Sequence, residues 1–450
     1  MNQFFIGGLI LCMSCTTRKE GRQTIPETTD SAILQKYSHP LNDKKDLQVL
    51  FDQIGNSRIV LLGEASHGTS EYYYWRSEIS KYLIQEKGFN IIAVESDWSE
   101  ANKIDQFIKG EKKDSISMRN LLEKFNRWPI WLWGNREIYS FVHWLNDFNQ
   151  IRAEENKIGF YGLDLFSIGE SLTYLNSLPD TTILNLAKSM QYCFQPFKED
   201  AYLYSAATSK QMTDCSKEAL NLWQAVKKVT GHPGNSREKI IISQNARVVL
   251  NGEKYLRIVT KDRATGWNLR EQHMAETVKA LFQMHDAGSK IIIWAHNTHV
   301  GDANYTDMGN RGKTNLGELL RKEYGDKKVF IVGFGSYSGS VGAVEKWGTV
   351  FQQMMLPPAI INSWEEILHR SGSSNKIILS KDIINTNLNR WIDQRAIGII
   401  YHPKNELSYI PSVIPKRYDA FIYIDQTTAL HPFVPLSVTT GWNNNAGLDF

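Results

Sequence analysis

Short, nearly continuous apolar runs recur along the chain. They are "RIVLL" at 58–62, "NIIAVE" at 90–95, "KIGFYG" at 157–162, "KIIIWA" at 290–295, "KVFIVGF" at 328–334, "AIGIIY" at 396–401 and "AFIYI" at 420–424. Unbroken runs rich in β-branched residues mark strands covered on both faces, where alternation with polar residues is lost. Between several of them the apolar spacing becomes helical, as in 71–87 and 136–151. Strands alternating with helices predict an α/β fold with a mostly parallel central sheet flanked by helices.

The rhythm changes between about residues 170 and 285. "TILNLAKSMQYCF", "SKEALNLWQAVKKV" and a long stretch from Arg237 to His285 are helical in pattern, with a turn at "TGHPGNS". Residues 171–285 are therefore expected to form an inserted helical lobe bordering a cleft. The α/β core is expected over 45–170 and 286–450. "GFGSYSGSVG" at 333–342 matches neither G-x-S-x-G nor G-x-G-x-x-G, and it reads as the loop after the fifth strand.

The N-terminus changes the picture of where the chain works. "MNQFFIGGLILCMSC" is too short an apolar run to span a bilayer but has the form of a secretory h-region. Its end at Cys15 resembles a bacterial lipoprotein signal, and the polar residues 16–44 read as a tether. The expectation is a cell-envelope protein, periplasmic or lipid-anchored at Cys15, with a cytoplasmic chain as the alternative. Only Cys193 and Cys215 then remain in the folded body, too few for a disulfide framework, and no C-x-x-C zinc spacing is present. A net charge of +3 over 450 residues leaves no basic stripe, so nucleic acid is not expected as a partner. Thirteen Trp and nineteen Tyr suit a cleft for a bulky organic ligand.

In an open α/β sheet, ligands bind beyond the carboxyl ends of the strands. Glu64 and His67 follow the first strand, Glu95 closes the second, and His296 and His299 follow "KIIIW". Asp164 in "YGLDL" is a further point at the same edge, and Arg76 is placed to be an ion-pair partner for Glu95. Two hydrolytic chemistries fit this set. One is a metal site using the histidines at i and i+3 with Glu64 or His67, although no strong zinc spacing occurs. The other is metal-free: a histidine takes a proton from water, a carboxylate orients its ring, and a second histidine steadies the oxyanion. A serine hydrolase lacks its nucleophile elbow here. The non-enzymatic reading is an envelope-anchored protein whose aromatic cleft holds a hydrophobic ligand.

"LLGEASHGTSEYYYWRSEI", "IIAVESDWSEAN", "FYGLDL", "WAHNTHVGD" and "RAIGIIYHP" occur in this order. The pattern resembles the erythromycin esterases, which open macrolide antibiotics at the macrolactone ester. The resemblance runs from about residue 45 to near 430. It implies a cofactor-free, metal-independent hydrolase with His67 as the base that activates water. It places Glu64, Arg76, Glu95, His296 and His299 on the family's other active-site positions, with His296 and His299 on the ester carbonyl. Tyr73, Trp98 and Trp128 are the aromatic residues expected along the cleft wall against a macrolide lactone.

Overall fold

The computed structural model describes residues 27–111, 117–123, 129–197, 201–210, 214–231, 236–404 and 408–433. Its strands are β1 (Ser38–Pro40), β2 (Ile59–Leu62), β3 (Ile91–Asp97), β4 (Gly159–Asp164), β5 (Ile291–Trp294) and β6 (Val329–Ala343), followed by β7 (Gln352–Leu356), β8 (Lys376–Leu379), β9 (Ile392–Arg395), β10 (Tyr409–Ser412) and β11 (Ala420–Thr427). Nine of them form one sheet in the order β1-β8-β11-β6-β2-β5-β3-β4, with β7 on the far end of β6. The run from β11 through β6, β2, β5 and β3 to β4 is parallel, and β1, β7 and β8 pair antiparallel. The fold is thus α/β with a mostly parallel sheet.

The apolar runs form central strands because both of their faces are covered. Val60, Leu62, Ile92, Val94, Ile292 and Trp294 pack into one core, while Ile59, Leu61, Ile91, Ala93, Ile291 and Ile293 pack into the other. Successive side chains of a strand point to opposite faces, so a two-sided core leaves no polar position. Among the described residues, six α-helices from Ile168 to Met284 fill the interval between β4 and β5 and surround a third core.

Two expectations fail, and one covalent link was not foreseen. "GFGSYSGSVG" is not a loop but the second half of β6, which pairs with β11 as far as Gly339 and then with β7. Small residues let a long strand bend and let other backbone approach it. "AIGIIY" is not a strand. It follows β9 as an irregular segment touching Ser66 and Val344 through isolated bridges at Ile397 and Ile400. Cys193 and Cys215 are joined in a disulfide, which ties the Thr181–Phe194 helix to the start of the Ser216–Thr230 helix within the lobe.

Candidate active site

Sheet order brings the chemistry together. β2, β5, β3 and β4 are consecutive and parallel, so Glu64 and His67, His296, Glu95 and Asp164 arrive at one edge. Gly63 leaves β2 where a Cβ would lie 2.1 Å from Oδ1 of Asn297. The Asn297 side chain donates to the Phe334 carbonyl at 2.7 Å and accepts from the Phe334 amide at 3.3 Å, and its own amide donates to Glu64 O at 2.8 Å. The asparagine of "AHNTH" is therefore the tie between the exits of β2 and β5 and the body of β6.

Glu64 accepts from His67 Nδ1 at 2.8 Å through one carboxylate oxygen and from Arg76 at 2.6 Å through the other. All three side chains are buried. The Arg76 guanidinium lies between the Tyr73 and Trp294 rings, 4.4 and 4.8 Å from their centroids. A ring nitrogen facing a carboxylate carries the proton, so Nε2 is the His67 nitrogen left to exchange one. The Tyr73 hydroxyl donates to the His67 carbonyl at 3.1 Å.

The His67 loop is held by distant backbone. Gly68 O accepts from the amides of Gly342 at 2.8 Å and Leu430 at 3.0 Å, and Ser70 N–H donates to Thr428 O at 2.9 Å. Residues 428–433 form a strap past the starts of two helices. Glu71 of the Ser70–Lys87 helix accepts from the Thr428 amide and hydroxyl, and Glu137 of the Arg136–Gln150 helix accepts from His431 Nδ1 at 2.6 Å.

A second buried cluster adjoins the first. Arg270 donates to both oxygens of Asp164 at 2.9 and 2.7 Å and to Glu95 at 2.9 Å. His299 has Nδ1 2.5 Å from Glu271 and Nε2 3.1 Å from Glu95, and its ring stacks on Trp267. Burial alone would discharge His299, but Glu271 and Glu95 raise its pKa to about 9, so it is an imidazolium at neutral pH. Burial opposes ionisation of Glu95, yet His299 and Arg270 hold its carboxyl well below the usual range. His296 behaves in the opposite way. Burial and then His67 hold it well below the ordinary histidine value, so it is neutral. Its Nδ1 lies 2.8 Å from the Thr298 hydroxyl and accepts from the Thr298 amide at 3.3 Å, which places its proton on Nε2. The His67 and His296 rings are 4.9 Å apart.

The expected Arg76–Glu95 pair does not form. The helix begun at Ser70 returns Arg76 along β2 to Glu64, while Arg270 reaches Glu95 from the Arg263–Met284 helix. Arg270 and Glu271 were invisible as site residues because they lie in "NLREQH" within a helical pattern. Burial of an adjacent Arg–Glu pair has no spacing signature. Of the aromatic residues, Tyr73 sits beneath the loop, and Trp98 packs on Tyr161 in the core instead of on the cleft wall. Trp128 and Cys15 lie outside the described residues. A cleft of about 620 Å³, counting its open mouth, exposes His67, Glu95 and Arg270 between Trp133, Phe166 and Trp347. Among the described residues, no group of three or more His, Cys, Asp or Glu side chains is arranged to hold a metal ion. The pair at i and i+3 supplies no ligand set, since both nitrogens of His299 face carboxylates.

A family model described as erythromycin esterase matches residues 84–427, from within the Ser70–Lys87 helix to the end of β11. The chain is similar to erythromycin esterase type II of Escherichia coli, at 22% identity over 389 residues, covering 79% of this chain and 88% of that protein. It shares its fold with a Bacillus cereus protein of solved structure at a TM-score of 0.75 and 20% identity, over 91% of this chain and 100% of that one. A mutant erythromycin esterase in its open conformation superposes at a TM-score of 0.66 and 16% identity, over 86% and 94% of the two chains. With most of its length matched by the family model, the chain belongs to the erythromycin esterase family.

Proposed function

We propose that this protein hydrolyses the macrolactone ester of erythromycin-type antibiotics, with His67 as the base. The observation that carries this reading is the Glu64–His67 pair at 2.8 Å at the wall of an aromatic cleft. Nε2 of His67 takes a proton from water as the water oxygen bonds to the ester carbonyl carbon. Glu64 stabilises the imidazolium that forms, and Arg76 keeps the carboxylate in place. The Nε2–H of neutral His296, beside the His67 ring, donates to the developing oxyanion. As the tetrahedral species collapses, the acyl C–O bond breaks and His67 returns its proton to the leaving alkoxide. The product is an opened hydroxy acid. Glu95, whose second oxygen accepts the His296 amide at 2.8 Å, positions His296, and the buried Arg270–Asp164–His299 cluster fixes Glu95.

Export to the envelope with an anchor at Cys15 remains part of the proposal, supported by the Cys193–Cys215 bond, which persists in oxidising compartments. Among the described residues, no helix is long and apolar enough to cross a membrane.

The test is mass spectrometry of erythromycin incubated with the protein and a chelator, with His67→Asn in parallel. Gain of one water, absent in the variant, is the expected result. Intact drug with both proteins sinks the macrolide assignment.

A further inference from the structure

A small annex opens off the main cleft behind His67. It shares His67, Glu95 and Leu132 with the cleft, and beyond them it reaches Glu64 and Arg76. Counting its mouth it measures about 250 Å³, but the centre of a water molecule has only about 10 Å³ to occupy, which is room for one. The Arg76 guanidinium is fixed in its wall, held by Glu64 and flanked by the Tyr73 and Trp294 rings.

Three polar groups around the annex have bonding capacity left. The Nε–H of Arg76 is buried, and among the described residues it meets no acceptor. A carboxylate offers about four acceptor positions. Among the described residues, Glu95 uses two at Oε1, for Arg270 and His299, and one at Oε2, for the His296 amide. A position therefore remains on Oε2. His67 commits Nδ1 to Glu64, which leaves Nε2. A buried donor without an acceptor is costly, and an ordered water is the usual remedy.

We infer that the annex seats the nucleophilic water, with Arg76 Nε donating to it and Glu95 Oε2 and His67 Nε2 accepting from it. The inference rests on the esterase reading. It makes Glu95 a catalytic residue in contact with the nucleophile, beyond its hold on the His296 amide. Such a water has both hydrogens and one lone pair committed, so its second lone pair is the one that attacks. As that pair bonds to the carbonyl carbon, the hydrogen facing His67 moves to Nε2. The hydrogen against Glu95 stays on the oxygen and leaves with the product acid. An acyl acceptor larger than water does not fit the seat.

Two arms test this. A high-resolution crystal structure of the full-length protein should show an ordered water bonded to Arg76 Nε, Glu95 Oε2 and His67 Nε2. A dry annex, or a water there that does not reach both Glu95 and His67, would overturn the inference. The second arm is mass spectrometry of erythromycin products in aqueous methanol, with Leu132→Ala as the variant that opens the annex wall. Near-ultraviolet dichroism checks that the variant is folded. The parent should release only the hydroxy acid, and Leu132→Ala should release its methyl ester as well. Equal proportions of methyl ester from the two proteins, zero included, would show that the acceptor does not come from the annex. Absence of any ester hydrolysis by the parent sinks the esterase reading instead, and the crystallographic arm then decides the annex alone.

Discussion

Glu64 and His67 stand three residues apart on one loop, and the carboxylate meets Nδ1 of the imidazole at 2.8 Å. Because Arg76 takes the other carboxylate oxygen, Glu64 cannot swing away without abandoning a buried guanidinium. The pair thus fixes both the tautomer and the direction of the proposed base. His67→Asn should lower kcat by roughly 10²–10⁴-fold, the usual weight of a general base. Glu64→Gln should lower kcat with little change in KM, since orientation of the ring matters most in the transition state. Steady-state kinetics of macrolide ring opening checks both, and full activity in His67→Asn removes His67 from the base's role.

His299 gives the fold a pH dependence. Its folded pKa is about 9 against an ordinary 6.5. A histidine whose pKa is raised by folding contributes its full stabilisation below the unfolded value and loses it as pH climbs through the folded one. Unfolding free energy should therefore fall between about pH 6.5 and 9, with a slope of at most about 1.4 kcal/mol per pH unit from this group. Urea denaturation at several pH values measures the slope, and nitrogen-15 spectra should show both ring nitrogens of His299 protonated at pH 8. A single-proton ring at that pH would contradict the carboxylate clamp.

Gly68 lies where the base loop touches β6. A Cβ there would sit 1.8 Å from the Gly342 carbonyl oxygen, which no side-chain rotation can relieve. Gly68→Ala must push the loop off the strand, and a displacement near 1 Å at a catalytic group costs roughly 10²-fold in rate. Gly169→Ala, where a Cβ meets nothing within 4 Å, is the matched control. Equal activity in the two variants would show that the loop does not depend on this contact.

The Cys193–Cys215 bond closes a loop of 22 residues within the lobe. The chain-entropy relation gives about 3 kcal/mol for a loop of that length. Replacing both cysteines by serine should lower the melting temperature while leaving kcat at 25 °C nearly unchanged, because the pair lies in the lobe's own core. Thiol titration of the denatured, unreduced protein tests the bond directly. Free reactivity of both Cys193 and Cys215 would refute it.

Much of the sheet was legible because central parallel strands leave a strong one-dimensional trace. Six of the seven apolar runs became strands. "AIGIIY" carries the same trace yet stays irregular, since Ala65 and Val344 engage its backbone and leave no continuous ladder. β1, β7 and the β9–β10 ribbon were not legible, because they are short and mixed in composition. β8, the buried run "KIIL" between β1 and β11, carries the apolar trace in four residues and was not among the runs read as strands. The strand-end residues Glu64, His67, Glu95 and His296 were readable from position. Their partners were not. Arg270 lies 175 residues from Glu95, and nothing local distinguishes it from a surface arginine on a helix.

The strap at 428–433 ties catalysis to the order of synthesis. Thr428 holds Glu71 across 357 residues, and Leu430 holds the carbonyl beside His67. A ribosome makes the base on the order of tens of seconds before it makes the residues that fix its loop. Through that interval the nascent chain carries β2 and its loop but not the backbone partners that Thr428 and Leu430 supply. If His67 is the base proposed above, a chain cut short before Thr428 should lose activity even where its sheet forms.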